Sequence, residues 1–309
     1  MDSDLLDLLR CPADHGRLRE EPDRAVCEGC GADYPVVDGI VCLLRAEELA
    51  DVDVREQQSR DEETTWYDSI FGSYTNAVEL PSTVGRIGRP PGPILDLAAG
   101  SGRITSELMH IGPPVVAADY SLEMLRKLVH RCRDQDGRYI AVQADARSLP
   151  LRDGAIHATT FGEGYGHFRG FDRSRVLKEL SRVMQPGAPL SLTTLNYNLM
   201  YRVWKLIGNA GAREGDHLLG GDFYYLRMTR DELRQEISAE FEVDEIVGMR
   251  NIPARTLAQF LRRIGSEHLG DRFLDWMTRK GYKIDLAIET TPVSYLTGFF
   301  WVVHATKRR

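Results

Sequence analysis

The chain has 309 residues, 42% of them hydrophobic, with a net charge of −7 and a pI near 5.7. That length suits one large α/β domain with a small appendage, and the acidic balance argues against a protein whose main task is to clamp nucleic-acid phosphates. No apolar run reaches the length of a membrane span, and the acidic residues 1–10 do not read as a secretory signal. The five cysteines, three of them in the first thirty residues, suit a cytoplasmic protein with a metal site better than a disulfide framework.

Residues 5–10 lead into Cys11-Pro12-Ala13-Asp14-His15-Gly16. A hairpin is expected next, followed by Cys27-Glu28-Gly29-Cys30 and the packing residues Tyr34, Val36, Val37 and Ile40. Residues 46–60 are charged and periodic, as in an exposed helix or linker. Trp66, Tyr67, Ile70, Phe71 and Tyr74 then recur at helical spacing. A connector rich in glycine and proline, residues 85–93, ends where the first buried strand begins.

That strand, residues 94–97, opens the stretch that organises the chain: Asp96-Leu97-Ala98-Ala99-Gly100-Ser101-Gly102-Arg103-Ile104-Thr105. Gly100 and Gly102 allow a sharp turn and let a ligand approach bare backbone. A helix over residues 104–110 completes the strand–turn–helix unit of a nucleotide-binding crevice. A dinucleotide fingerprint needs a third glycine where Thr105 stands, and Asp96 at the strand end would repel a pyrophosphate. Residues 114–119 form the second strand. Asp119 ends it about twenty residues past the glycines, where an acid accepts both ribose hydroxyls. Tyr120 would then lie against the adenine, and Ser121 is available to cap the next helix, which carries Met124. Residues 139–143 give a third strand, followed by Ala144-Asp145-Ala146. Residues 155–161 give a fourth, ending at Phe161, then the loop Gly162-Glu163-Gly164-Tyr165-Gly166-His167-Phe168. Residues 172–184 form an amphipathic helix and residues 190–195 a fifth strand.

Three acids in order, Asp96, Asp119 and Asp145, each close an expected strand. The glycine turn resembles motif I of the class I S-adenosylmethionine-dependent methyltransferases, and the likeness runs from Ile94 to Leu195. The resemblance implies a Rossmann-like, mostly parallel seven-stranded sheet whose last strand is antiparallel. It also implies a crevice for S-adenosylmethionine, which carries an ammonium and a sulfonium but no phosphate. Cofactor contacts fall on Asp96, Ala98, Gly100, Ser101, Gly102, Asp119, Tyr120, Met124, Asp145, Ala146 and Phe161. In this family the acid at position 145 accepts from the adenine amino group, and the next backbone N–H donates to the ring. The aromatic run before motif I resembles a lid helix that closes over the cofactor.

The N-terminal segment resembles the small zinc-ribbon-like module of some methyltransferases, in which two Cys-x-x-Cys knuckles hold a tetrahedral zinc. The second knuckle is intact; the first keeps Cys11 but has Asp14 where a cysteine is expected. The implied ligand set for one structural zinc is Cys11, His15, Cys27 and Cys30, with Asp14 possible in place of His15. The alternative is a metal-free module held by packing alone.

Beyond strand five the chain exceeds a minimal fold. Thr229 should cap a helix, residues 241–247 read as a sixth strand and residues 298–306 as the last, antiparallel one. Insertions at 196–228 and 252–295 form the acceptor roof in this fold. Their aromatics suit an organic pocket, with Tyr67, Tyr74, Tyr197, Tyr201 and Tyr224 as candidate substrate contacts. The expected organisation is a module at 1–45, a helical linker and lid at 46–92, and a methyltransferase domain at 93–309. The expected reaction is in-line methyl transfer to an oxygen or nitrogen of a small molecule. Candidate bases are Glu163, His167 and His217, though His167 could equally cap a helix or bond a carbonyl. The competing readings are a ribosomal RNA guanine methyltransferase, a non-catalytic cofactor- or partner-binding module, and an NAD-dependent dehydrogenase disfavoured by Asp96 and Thr105. Neither nucleic acid nor membrane is expected as a partner.

Overall fold

A computed structural model describes residues 3–44, 73–206, 212–216 and 224–309. Helix α1 (Ser3–Leu6) precedes four antiparallel strands, β1 (Leu18–Glu21), β2 (Arg24–Cys27), β3 (Asp33–Val37) and β4 (Ile40–Cys42). Helix α2 (Ser73–Thr83) leads to β5 (Ile94–Leu97), α3 (Arg103–Met109), β6 (Val115–Asp119), α4 (Leu122–Cys132) and β7 (Tyr139–Gln143). Next come β8 (Ala158–Phe161), α5 (Gly170–Val183), β9 (Pro189–Leu195) and α6 (Leu199–Leu206). The two-residue strands β10 (Glu214–Gly215) and β11 (Tyr225–Leu226) form a separate ribbon. The C-terminal part holds α7 (Arg230–Ile237), β12 (Phe241–Met249), α8 (Ala254–Ile264), α9 (Glu267–Trp276), α10 (Tyr282–Glu289), α11 (Ser294–Thr297) and β13 (Phe300–Lys307).

The main sheet has eleven strands in the order β1-β2-β3-β4-β7-β6-β5-β8-β9-β13-β12. Strands β5 to β9 are parallel to one another, and β13 inserts antiparallel between β9 and β12. The seven strands β7-β6-β5-β8-β9-β13-β12 are the Rossmann-like sheet expected from the sequence. Every residue of β5 and of β8 is buried, as a central parallel strand covered on both faces must be. Strand order reverses between β5 and β8, so a crevice opens outside their carboxyl ends.

The N-terminal module does more than pack on this sheet. Strand β4 pairs parallel with β7, Ile40 opposite Ala141 and Cys42 opposite Gln143. Leu5, Leu9, Cys11, Tyr34 and Val41 share one apolar cluster with Leu95, Val116 and Val142. The module therefore extends both the sheet and its core.

Thr229 caps α7 in a full capping box with Glu232. The helix expected at 272–279 starts earlier, because Ser266 caps it by accepting from Leu269 N–H, and it runs into a π-helical turn over Met277–Gly281. Helices α2, α8 and α10 meet β12 and β13 through Tyr74, Val78, Ala254, Val247, Met249 and Phe300. No helix among the described residues is long and apolar enough to cross a membrane.

Candidate functional site

The turn after β5 is built from left-handed backbone. Gly100 (φ 53°), Gly102 (φ 80°) and the non-glycine Ala98 (φ 55°) all have positive φ. A Cβ on Gly102 would stand 2.7 Å from Leu128 Cγ, so the turn also lets α3 approach α4 closely. Asp96 lies beneath it, fully buried. Its oxygens accept from Thr105 Oγ1 at 2.6 Å and Thr160 Oγ1 at 2.9 Å, and burial pushes its carboxyl up to about 6. Thr105, where a dinucleotide fold has glycine, is thus the donor that satisfies this acid.

Asp119, at the end of β6, is half-buried. Its Oδ2 accepts from Gly100 N–H at 2.8 Å and its Oδ1 from Ser121 N–H at 2.9 Å. The helix cap is made by Ser121, whose Oγ accepts from Met124 N–H at 3.1 Å. Asp145 is held by Arg147, whose Nε lies 2.9 Å and 3.1 Å from its two oxygens. Arg131 Nε donates to the Ser101 carbonyl at 2.7 Å. Tyr120 follows Asp119, and its carbonyl accepts from Gln143 Nε2 at 3.1 Å. Met124, Ala146 and Phe161 are buried. Phe161 is held edge-on to Tyr165, ring centroids 6.2 Å apart.

A cavity opens over the turn, lined by Ala98, Ala99, Ser101, Arg103, Ile104, Gly162 and Glu163. Glu163 also has positive φ, 53°, and its N–H donates to Thr193 Oγ1 at 2.8 Å. Its Oε1 is buried without a hydrogen-bond partner among the described residues, as is Glu79 Oε1. Arg103 Nη1 reaches Glu79 at 3.0 Å and Asn76 at 2.6 Å. Burial, and then the charge of Glu79, push the Glu163 carboxyl up to about 8, against the pull of Arg103 and Arg250. Glu163 is therefore protonated at neutral pH, and two acids with unanswered oxygens converge on this region. Sequence reasoning missed Glu79 and Arg103. Arg103 could have been noticed as the residue directly after the glycine turn, whereas Glu79 carries no motif signal.

The other candidates are dispersed. His167 Nδ1–H donates to the Tyr224 carbonyl at 2.7 Å, which ties the loop after β8 to the roof. Tyr197 and Tyr201 lie with ring centroids 5.7 Å apart. Tyr74 Oη donates to Asp285 Oδ2 at 2.5 Å. Tyr67 and His217 lie outside the described residues.

In the N-terminal module, one ligand atom each from Cys11, Asp14, Cys27 and Cys30 lies within 4.8 Å of the others. Cys11 Sγ and Cys30 Sγ are 3.7 Å apart, and Cys27 Sγ is 3.2 Å from Asp14 Oδ1. A tetrahedral zinc with Zn–S of about 2.3 Å sets its sulfurs roughly 3.8 Å apart, so these residues fit the metal. The structure brings Asp14, not His15, to the cluster. Gly16 N–H donates to Asp14 Oδ1 at 2.9 Å and turns that carboxylate inward, while His15 sits exposed at φ 58°.

The sheet order, the glycine turn and the acids at the strand ends are those of the Rossmann-like methyltransferase fold. Residues 94–187 match the family model described as methyltransferase domain, and residues 2–39 match the model described as Trm112p-like protein. The chain carries both. It is 40% identical over 103 residues to a demethylmenaquinone methyltransferase of Corynebacterium urealyticum, covering 33% of this chain and 41% of the relative. The chain spans about half the length of the curated relatives it matches. Among solved structures it resembles a possible histamine N-methyltransferase of Thermotoga maritima: TM-score 0.55, 16% identity, 82% of this chain and 100% of that one. It also resembles a chain in the complex between the Haloferax volcanii Trm112 methyltransferase activator and a putative methyltransferase. There the TM-score is 0.50 at 16% identity, covering 84% of this chain and 98% of that one. These likenesses show the fold.

Proposed function

We propose that the chain transfers the methyl group of S-adenosylmethionine to an oxygen or nitrogen of a small-molecule acceptor by in-line displacement. The observation that carries this reading is the placement of Asp119, held against the glycine turn by the Gly100 N–H. The Glu79 and Glu163 carboxyl oxygens left without a partner among the described residues suit a cationic guest, which would draw the proton off Glu163.

When bound, S-adenosylmethionine supplies a methyl group already activated on a sulfonium. Asp119 would take the ribose hydroxyls, and Asp145 with the Ala146 N–H the adenine edge. The turn from Ala98 to Gly102 would face the methionyl part beside Glu163. The protein's task is then alignment, which by itself can supply much of the acceleration. Glu163 holds a proton at neutral pH, so it acts as a base only after a neighbouring positive charge has lowered its affinity for that proton. His167, with Nδ1–H committed to the Tyr224 carbonyl, is better suited to positioning the loop than to moving a proton.

A small-molecule acceptor agrees with relatives named for demethylmenaquinone. The acidic chain disfavours the RNA alternative. The three-part organisation, 1–45, 46–92 and 93–309, with roof insertions at 196–228 and 252–295, and a cytoplasmic location remain part of the proposal. A second reading concerns the N-terminal module: its Trm112p-like match favours a role in supporting the domain, here from within one chain.

The experiment is a mass-spectrometric screen of acceptors with labelled methyl donor, run beside calorimetry with S-adenosylhomocysteine and a salt-dependent RNA-binding assay. Formation of S-adenosylhomocysteine together with a labelled, methylated small molecule is expected. Cofactor binding without turnover on any acceptor would support the non-catalytic alternative, and tight, salt-sensitive RNA binding the guanine one.

A further inference from the structure

A second set of side chains lies at the same end of the sheet as the glycine turn but outside the cofactor cavity. Arg227 follows β11, and the next residue, Met228, bonds back to the end of β9 through its N–H to Leu195 O at 3.2 Å. Arg227 is only 7% exposed. Its guanidinium lies 4.3 Å over the Tyr201 ring and 5.9 Å from both the Tyr225 and Phe299 rings. Its Nε and Nη1 are buried with no hydrogen-bond partner among the described residues.

Among the described residues no acid answers this charge. The groups acting on it are burial and the phenols of Tyr201 and Tyr225, with no acid among them. Burial raises the Tyr201 phenol, so it stays neutral and offers no counter-charge. Tyr201 offers one hydrogen bond, but a buried cation with two donors unmet and no anion is strongly unfavourable. A ring face offsets only part of that loss. The fold tolerates an arrangement that a methionine would fill at lower cost.

Arg250 approaches the same aromatic. It ends β12 in left-handed backbone, φ 57°, with its guanidinium 5.4 Å from the Phe299 ring and 5.2 Å from the Phe300 ring. Phe299 is 41% exposed, so the ring both arginines approach has an open face. Arg250 also acts electrostatically on Glu163, which lines the cofactor cavity.

We propose that Arg227 and Arg250, both beside Phe299, hold an oxyanion of the methyl acceptor, a carboxylate or a phosphate. The guanidinium fork matches both groups in bidentate fashion. The rings of Tyr201, Tyr225 and Phe299 would flank a flat organic body attached to it. The proposal rests on the methyltransferase reading above, and its test separates the two.

The probes are benzoate, phenyl phosphate and neutral benzamide, titrated by calorimetry into the full chain saturated with S-adenosylhomocysteine. At least one of the two anions is expected to bind about tenfold or more tightly than benzamide. Arg227→Met and Arg250→Met should each weaken that anion by about tenfold, and Arg227→Met should leave S-adenosylhomocysteine affinity within about twofold. Arg227→Met should fold with an unchanged or raised Tm, because it removes an unanswered charge; should it not fold, Arg250→Met carries the test. Equal binding of anions and benzamide, or anion binding unchanged in the folded variants, overturns the proposal. So does the absence of anion binding in a chain that binds S-adenosylhomocysteine. A chain that fails to bind S-adenosylhomocysteine at all overturns the methyltransferase reading, and the acceptor site falls with it.

Discussion

Tyr74 donates its hydroxyl hydrogen to Asp285 across 211 residues of sequence, at 2.5 Å and out of contact with water. Asp285 is fully buried, and it also accepts from the backbone N–H groups of Asn251 at 2.8 Å and Ile252 at 3.0 Å. Helix α2 is thereby bolted to the end of β12 and to α10. The tyrosine expected to touch substrate spends its polar end on this carboxylate. Tyr74→Phe is expected to destabilise the protein by roughly 1–3 kcal/mol, because a buried acceptor loses a donor. It should leave KM for any acceptor within about twofold, the signature of a structural rather than a substrate contact. Urea unfolding and steady-state kinetics on the same variant read both numbers.

Asp119→Ala should weaken S-adenosylhomocysteine binding by about a hundredfold, the loss of two hydrogen bonds to a charged acceptor. The fold should survive, since the helix cap belongs to Ser121 and not to Asp119. Calorimetry on a variant with native-like circular dichroism is the measurement. Unchanged affinity would show that the ribose lies elsewhere.

The Glu163 carboxyl, raised from 4.5 to about 8, gives a signed pH dependence. Between those values the folded chain keeps a proton that the unfolded chain has released, so this group's contribution to stability falls as pH rises through the window. Binding a cation beside Glu163 favours the ionised form and expels the proton. S-adenosylmethionine affinity should therefore rise with pH up to about 8 and then level off. Glu163→Gln should flatten that rise. Calorimetry in buffers of different ionisation enthalpy would count the proton released.

Metal analysis of the purified protein should find one zinc per chain, held by Cys11, Cys27, Cys30 and Asp14. Cys27→Ser should lose the metal and lower Tm, because the cluster shares its packing with α1 and the sheet. His15→Ala should change neither. Zinc loss in His15→Ala would return the fourth ligand to the histidine.

What the sequence displayed and what it hid follow from range. The strand-turn-helix unit at 94–109, the acids closing β5 and β6 and the Thr229 cap depend on residues close in sequence, so their pattern is visible in the chain. Thr105 was visible only as a departure from a dinucleotide motif; its bond to Asp96 depends on the helix coming back over the strand. The choice between Asp14 and His15 depends on a single turn, set by Gly16 N–H, that spacing alone leaves open. Arg227, between Leu226 and Met228, looks like any surface arginine until Tyr201 and Phe299 are folded against it. The parallel pairing of β4 was hidden for the same reason. It involves three residues whose partners lie about a hundred positions away, opposite Ala141 to Gln143.

That pairing also fixes a ratio. Strands that extend the sheet from inside the same polypeptide are present once for every sheet they extend, at an effective concentration set by the chain itself. Cutting the chain ahead of β5 would bare the backbone of β7 from Ala141 to Gln143, and such a rim invites pairing with other chains.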